Sequence, residues 1–84
     1  MIKIIFERDK QRAAAYDGEK TVGFCQVQIS DREWTITHTE VDPAYGGKGI
    51  SRKLVMNVVE RAGNEGAKVT PVCSYAKKVI SEIK

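Results

Sequence analysis

Three of the chain's seven glycines fall within four positions, in Tyr45-Gly46-Gly47-Lys48-Gly49-Ile50-Ser51. An alternating apolar run over residues 34–41 leads into this stretch, and an amphipathic helix pattern leads out of it. Glycine has no Cβ, so its backbone takes positive φ and approaches a ligand closely. The N–H groups of such a turn, and of the first helical turn after it, point at one spot where the helix dipole is positive. Lys48 adds a mobile cation. Strand, glycine turn and helix start together read as a seat for the pyrophosphate of a nucleotide-bearing cofactor.

At 84 residues the chain is expected to form one domain with a modest core. It is 42% hydrophobic and 30% charged, a globular composition. No segment approaches the roughly 20 apolar residues of a membrane span. The opening Met1-Ile2-Lys3-Ile4-Ile5-Phe6-Glu7-Arg8 is broken by charge too soon for a signal peptide, so a cytoplasmic protein is expected. Cys25 and Cys73 have no CxxC spacing and are expected to be free thiols. The net charge of +3 suits solubility or an anionic ligand. The basic residues are scattered, without the dense stripe and interleaved aromatics that nucleic acid requires.

Residues 3–7 read as a first strand and 8–12 as a turn. Residues 13–16 read as a second strand, because Asp17-Gly18 behind them signals a hairpin. Its alanines suit a close-packed layer beneath a helix. Residues 19–30 read as a long strand with Val22 and Phe24 on one face and Cys25, Val27 and Ile29 on the other. That switch implies two-sided burial or a bulge near Gly23. Residues 33–41 form the cleanest strand, with Trp34, Ile36, His38 and Glu40 on one face and Thr35, Thr37, Thr39 and Val41 on the other. Residues 51–66 read as a helix with Leu54, Val55, Val58, Val59 and Ala62 as its apolar stripe and Gly66 closing it. Residues 68–73 read as a strand, at an edge or splayed because of Pro71, and 74–84 as a helix with Val79, Ile80 and Ile83 inward. The strands on either side of the first helix suit a right-handed crossover and a parallel pair. The expected class is α+β: a mixed, mostly antiparallel sheet with helices packed on it.

These residues resemble a known family. Glu33-Trp34-Thr35-Ile36-Thr37-His38-Thr39-Glu40-Val41, followed by Gly47-Lys48-Gly49-Ile50, is similar to the GNAT acetyltransferase superfamily, and more narrowly to its small single-domain YjdJ-type members. Pro71-Val72-Cys73-Ser74-Tyr75 resembles their other signature. The superfamily's loop follows (Arg/Gln)-x-x-Gly-x-(Gly/Ala). Gly47 and Gly49 match the small positions; Ala44 takes the first, and Gly46 stands where a basic residue is common. The resemblance implies a minimal GNAT-like (acyl-CoA N-acyltransferase) fold over residues 1–84 and acetyl-CoA as cofactor. Its pyrophosphate would lie on Gly46, Gly47, Lys48, Gly49, Ile50, Ser51 and Arg52, and its pantetheine arm along the backbone of Thr39, Glu40 and Val41.

Acetyl transfer to an amine requires that the amine lose a proton, the carbonyl oxygen be stabilised and the departing thiolate be protonated. Cys73, just before a helix, reads either as a reactive thiol of lowered pKa or as a buried structural cysteine. The resemblance implies a catalytic role for it. His38, the chain's sole histidine, reads as a packed imidazole or as a base near neutral pH, and the resemblance implies the base. Glu40 is the rival base, or an exposed strand-end carboxylate. Tyr75 could protonate the leaving thiolate or simply pack. Ser74 reads as the N-cap of the last helix, contributing to the cofactor through its backbone N–H. Lys48 and Arg52 read as phosphate partners or solvated charges. Cys25 reads as core; a Cys25/His38/Cys73 zinc site falls short of the four ligands of a structural site, so no metal is expected. The expected activity is an acetyl-CoA-dependent N-acetyltransferase acting on a small-molecule or protein amine. The alternative is a non-catalytic CoA-binding or interaction module.

Overall fold

A computed structural model describes residues 2–83, with the side chain of Ile83 left out. The expected contributions of Ile83 and Lys84 to the last helix fall outside the described residues. The order is β1 (Ile2–Glu7), β2 (Arg12–Asp17), β3 (Lys20–Ser30), β4 (Glu33–Val41), α1 (Ile50–Asn64), β5 (Lys68–Pro71) and α2 (Ser74–Ile83). The five strands lie side by side in sequence order. The first four pair antiparallel, and β4 pairs parallel with β5 through the α1 crossover. The α+β class and the mixed sheet expected from the sequence are the ones observed.

Local chemistry explains the boundaries. The alanines of β2 form strand rather than helix because pairing with β1 and β3 places Ala13 and Ala15, both fully buried, in the core against α1. Gly18 takes φ 65° in the turn to β3. Helix α1 starts one residue earlier than expected and stops at Asn64 rather than 66. Gly66 closes it at φ 70°. Gly66 N–H donates to Gly63 O (3.1 Å) and Ala67 N–H to Ala62 O (2.8 Å), the paired bonds of a Schellman stop. Strand β5 ends at Pro71, short of the expected 73, at the sheet's edge. There Val72 and Cys73 both turn their N–H groups onto Ile36 O, at 2.9 and 3.1 Å.

Two bulges reset the faces. In β3 the register against β2 slips at Val22, one residue from the bulge expected near Gly23. Val22 thereby joins Cys25 and Val27 in the core, leaving Phe24 on the outer face, so Val22 and Phe24 do not share a face. In β4 the partners run Gln26↔His38 and then Val27↔Ile36, so Thr37 is the extra residue. This overturns the expected grouping of Trp34, Ile36, His38 and Glu40. Trp34 and Ile36 are buried under the helices, whereas His38 and Glu40 emerge on the opposite, exposed face. Thr39 takes the core side beside Cys25.

Both helices feed one apolar cluster, with Leu54, Val55, Val58 and Ala62 from α1 and Ala76 and Val79 from α2. Burial of each large aliphatic side chain contributes about 1.5–3 kcal/mol. Phe6 and Trp34 stack with centroids 5.3 Å apart, and Arg61 and Arg8 cover their outer rings.

Candidate active site

The ladder between β4 and β5 ends at Ile36 and Pro71. Beyond that point β4 continues to Val41 along β3 alone, while the chain after β5 swings away into α2. The sheet therefore opens as a wedge. Residues 37–41 present a strand edge there without a ladder to β5, a surface suited to an extended ligand that bonds to main-chain groups.

The glycine loop lies at the wide end of this wedge. Asp42 starts it: its Oδ1 accepts the Ala44 N–H at 2.9 Å, and its carbonyl accepts the Tyr45 N–H at 2.8 Å. Gly47 and Gly49 then take φ 80° and 72°, and Gly49 directly precedes α1. A Cβ at either would meet nothing within 4 Å, so glycine is required there for backbone direction, not for room. A cleft of about 410 Å³ runs along the loop, lined by Val41, Gly46, Gly47, Gly49, Ser51 and Tyr75 among others. The structure thus brings the far aromatic Tyr75, 37% exposed, to the same hollow as the glycines.

The expected phosphate partners separate. Lys48 is exposed and forms no ion pair among the described residues. Arg52 bonds to Glu82 of α2 at 2.6 Å. Ile50 buries its side chain in the core, leaving only its backbone to the loop. Residues that the sequence reading passed over hold the loop down. Tyr45 donates from its hydroxyl to Asp17 Oδ2 at 2.6 Å; this bond holds the Asp17 carboxyl below its usual range and raises the Tyr45 phenol. Lys20 sits 3.7 Å from Asp42 and 5.7 Å from the Tyr45 ring. The legible signal was Asp42-Pro43, since aspartate side chains cap the backbone two residues on.

Cys73 stands at the narrow end of the wedge. Its carbonyl accepts the Lys77 N–H at 3.0 Å, the first helical bond of α2. Cys73, not Ser74, is thus the N-cap, and Ser74 is the first helical residue. The amides of Ala76 and Tyr75 in the first turn of α2 favour the charged sulfur as they would a capping oxygen. Burial pushes the thiol up, but those amides, with the hydroxyl and amide of Thr39, outweigh it and hold the thiol below its ordinary value. Cys25, fully buried on the far side of Thr39, is pushed up by burial to about 11.

His38 and Glu40 stand on the outer face, with Nε2 and Oε1 3.4 Å apart and both side chains more than half exposed. The His38 ring tilts against Phe24 at 5.9 Å. A broader cleft of about 680 Å³ lies on this side, lined by Phe24, Gly23, Glu40, Val41, Asp42 and Arg12 among others. It meets the loop cleft at the shared wall Val41-Asp42-Pro43. Cys25 faces the core and His38 faces away from it, so the donors considered for zinc do not converge.

A family model described as GCN5-related N-acetyl-transferase matches residues 12–84. Among solved structures, a GCN5-like protein of Staphylococcus aureus superposes with a TM-score of 0.73 at 28% identity, covering 95% of this chain and 78% of its own. The ribosomal-protein-S18-alanine N-acetyltransferase of Escherichia coli gives a TM-score of 0.73 at 18% identity over 86% of this chain. The present chain spans only 50% of that enzyme's length. An IAA acetyltransferase of Bacillus cereus gives 0.64 at 18% identity, covering 99% of this chain and 74% of its own. No curated protein matches the chain.

Proposed function

The chain belongs to the GCN5-related N-acetyltransferase family, and from that premise we propose that it is an acetyl-CoA-dependent N-acetyltransferase that moves an acetyl group to an amine, a protein lysine or a small amine. The observation that carries the reading is the parting of β4 from β5 after Ile36, with the positive-φ glycine loop and Tyr75 lining one cleft at the wide end and Cys73, its N–H on Ile36 O, at the narrow end. Acetyl-CoA supplies an activated thioester. Residues 46–52 seat its pyrophosphate through backbone N–H groups, with Lys48 as the free cation. The open edge at Thr39, Glu40 and Val41 receives its pantetheine amides.

At the narrow end Cys73 acts as the nucleophile that accepts the acetyl group before an amine removes it. Its depressed thiol and amide-ringed position at a helix start support this role. Tyr75, two residues from Cys73, lines the glycine-loop cleft and carries a hydroxyl that gives a proton to a departing thiolate. His38, with Glu40 beside its ring, takes the proton of the incoming amine, which approaches over the outer face past Phe24.

The test is titration with acetyl-CoA by calorimetry, followed by transfer of labelled acetyl to candidate amines in wild type and Cys73→Ala. The expected result is binding by both proteins and transfer by wild type alone. Silence in the calorimeter would remove the reading. Binding without transfer in either protein would leave a CoA-binding module.

A further inference from the structure

Strand β1 lies at one margin of the sheet and is paired on one side only among the described residues. Such an edge offers its free main-chain groups to a further strand. On the outer face β1 carries Lys3 and Ile5, both exposed, and the half-buried Glu7. On the inner face Ile4 and Phe6 pack against the core. Directly opposed residues of an antiparallel pair point to the same face, so a second β1 running in reverse must be centred on a residue. Centred on Ile5, it sets Lys3 opposite Glu7 twice, Ile5 opposite Ile5, and Ile4 opposite Phe6 twice. Lys3 and Glu7 of one copy stand about 13 Å apart along the strand, too far to pair with each other. The Glu7 carboxylate accepts from Arg12 and Tyr16, and its remaining lone pairs are open to a lysine.

Helix α1 repeats the pattern beside the same strand. It runs the way β1 runs: three antiparallel pairings set β1 against β4, and the crossover to the parallel β5 sets α1 against β4 as well. A shallow cleft of about 340 Å³ between strand and helix is lined by Ile4, Arg52, Lys53, Met56, Asn57 and Glu60. Arg52 is bonded to Glu82, whereas Lys53 and Glu60 make no ion pair among the described residues. They lie two helical turns apart, about 10 Å, with Met56 and Asn57 midway between them. Asn57 Oδ1 is buried and has no hydrogen-bond partner.

We propose that two copies of this chain join edge to edge at β1, in a symmetric dimer with one continuous sheet and the two α1 helices antiparallel across the dyad. Charge complementarity selects a second copy as the occupant. Strand and helix each present one cation and one anion at equal distances from a centre, and a twofold contact superposes such a surface on itself. The dyad that reverses β1 also reverses α1, so it brings Lys53 of each copy to Glu60 of the other. The two Asn57 amides lie near the dyad, where each supplies the donor that the other's Oδ1 lacks. The wedge between β4 and β5 lies at the opposite margin of the sheet. Both wedges therefore stay open, and the dimer does not depend on the transferase reading.

The experiment is sedimentation equilibrium of the full chain over about 10 μM to 1 mM, the range of weak association. The mass is expected to rise with concentration from the 9.4 kDa of one chain toward twice that value. Hydrogen exchange at the outward amides of β1 is expected to slow in step. Lys53 and Glu60 are both exposed on α1, so their charges can be changed without disturbing the core. Lys53→Glu or Glu60→Lys alone sets like charges opposite each other twice per dimer and is expected to raise Kd about tenfold. The two substitutions together restore the opposite charges and are expected to return Kd to within about threefold of wild type. A chain that keeps one mass throughout overturns the proposal and leaves the β1 edge to another kind of strand. A dimer whose β1 amides exchange as fast as in the dilute chain also overturns it, as do single variants that associate like wild type. So does a double variant as weak as either single one.

Discussion

At the scale of single residues, Gly23 and Glu7 carry more than their size implies. A Cβ on Gly23 would stand 2.9 Å from Glu40 O and 3.0 Å from Val41 Cγ2. The obstacle is mainly the backbone of β4, which cannot swing aside as a flexible side chain can. Gly23→Ala is expected to cost about 1–3 kcal/mol by overpacking, read as a lower urea midpoint with unchanged slope. An unchanged midpoint would show that β3 and β4 are not so closely pressed. Glu7 accepts from the Tyr16 hydroxyl at 2.5 Å and from Arg12 Nε at 2.7 Å, across the buried Ala14. The Tyr16 bond first, then Arg12, holds its carboxyl below the ordinary 4.5. A depressed carboxylate stabilises the fold above its unfolded pKa, and that stability is lost as pH falls through the folded value. The advantage of wild type over Glu7→Gln in thermal melts is therefore expected to be full near neutral pH, to shrink below 4.5 and to vanish in stronger acid. An advantage that persists unchanged into acid would mean that Glu7 contributes by shape alone.

At the scale of elements, the loop between β4 and α1 is a backbone device. Gly47 and Gly49 sit in open space at positive φ, so a side chain there strains the turn without striking anything. Gly47→Ala is expected to cost about 1 kcal/mol of stability. It should weaken acetyl-CoA binding by more than that loss, because relaxed φ angles turn the amides away from a common point. Calorimetry beside urea unfolding separates the two effects; equal affinity in wild type and Gly47→Ala would deny the loop its role. This loop was legible because glycine spacing and the apolar stripe of α1 are local signals. The hairpin at Asp17-Gly18 and the Gly66 stop were legible for the same reason. The bulge at Thr37 was not, since an extra residue is defined by the partner strand it slips against, and nothing in Thr35-Ile36-Thr37-His38 marks it. It also hid the true side of His38 and Glu40, because one extra residue reverses every side chain after it. The capping of α2 was missed by one residue for a chemical reason. Serine is the favoured N-cap, and a cysteine sulfur in that place has no propensity signal to announce it.

At the scale of the whole molecule, an 84-residue chain has little buried surface with which to hold an open wedge. One side of that wedge is β4 and the other is the start of α2, tied together where the Val72 and Cys73 N–H groups bond to Ile36 O. A ligand that bridges them should therefore stabilise the fold as well as occupy it. Binding to the folded state alone adds about 2.7 kcal/mol at a ligand concentration 100 times Kd. For a domain of this size each kcal/mol moves Tm by about 4–8 °C, so a rise of roughly 10–20 °C is expected with saturating acetyl-CoA. On the proposed reading, in which the loop amides hold the pyrophosphate and the strand edge the pantetheine, coenzyme A without the acetyl group is expected to raise Tm nearly as far. Pantetheine alone, which lacks the pyrophosphate, should raise it little. A rise with pantetheine equal to that with coenzyme A would place the binding energy on β4 and take it from the glycine loop.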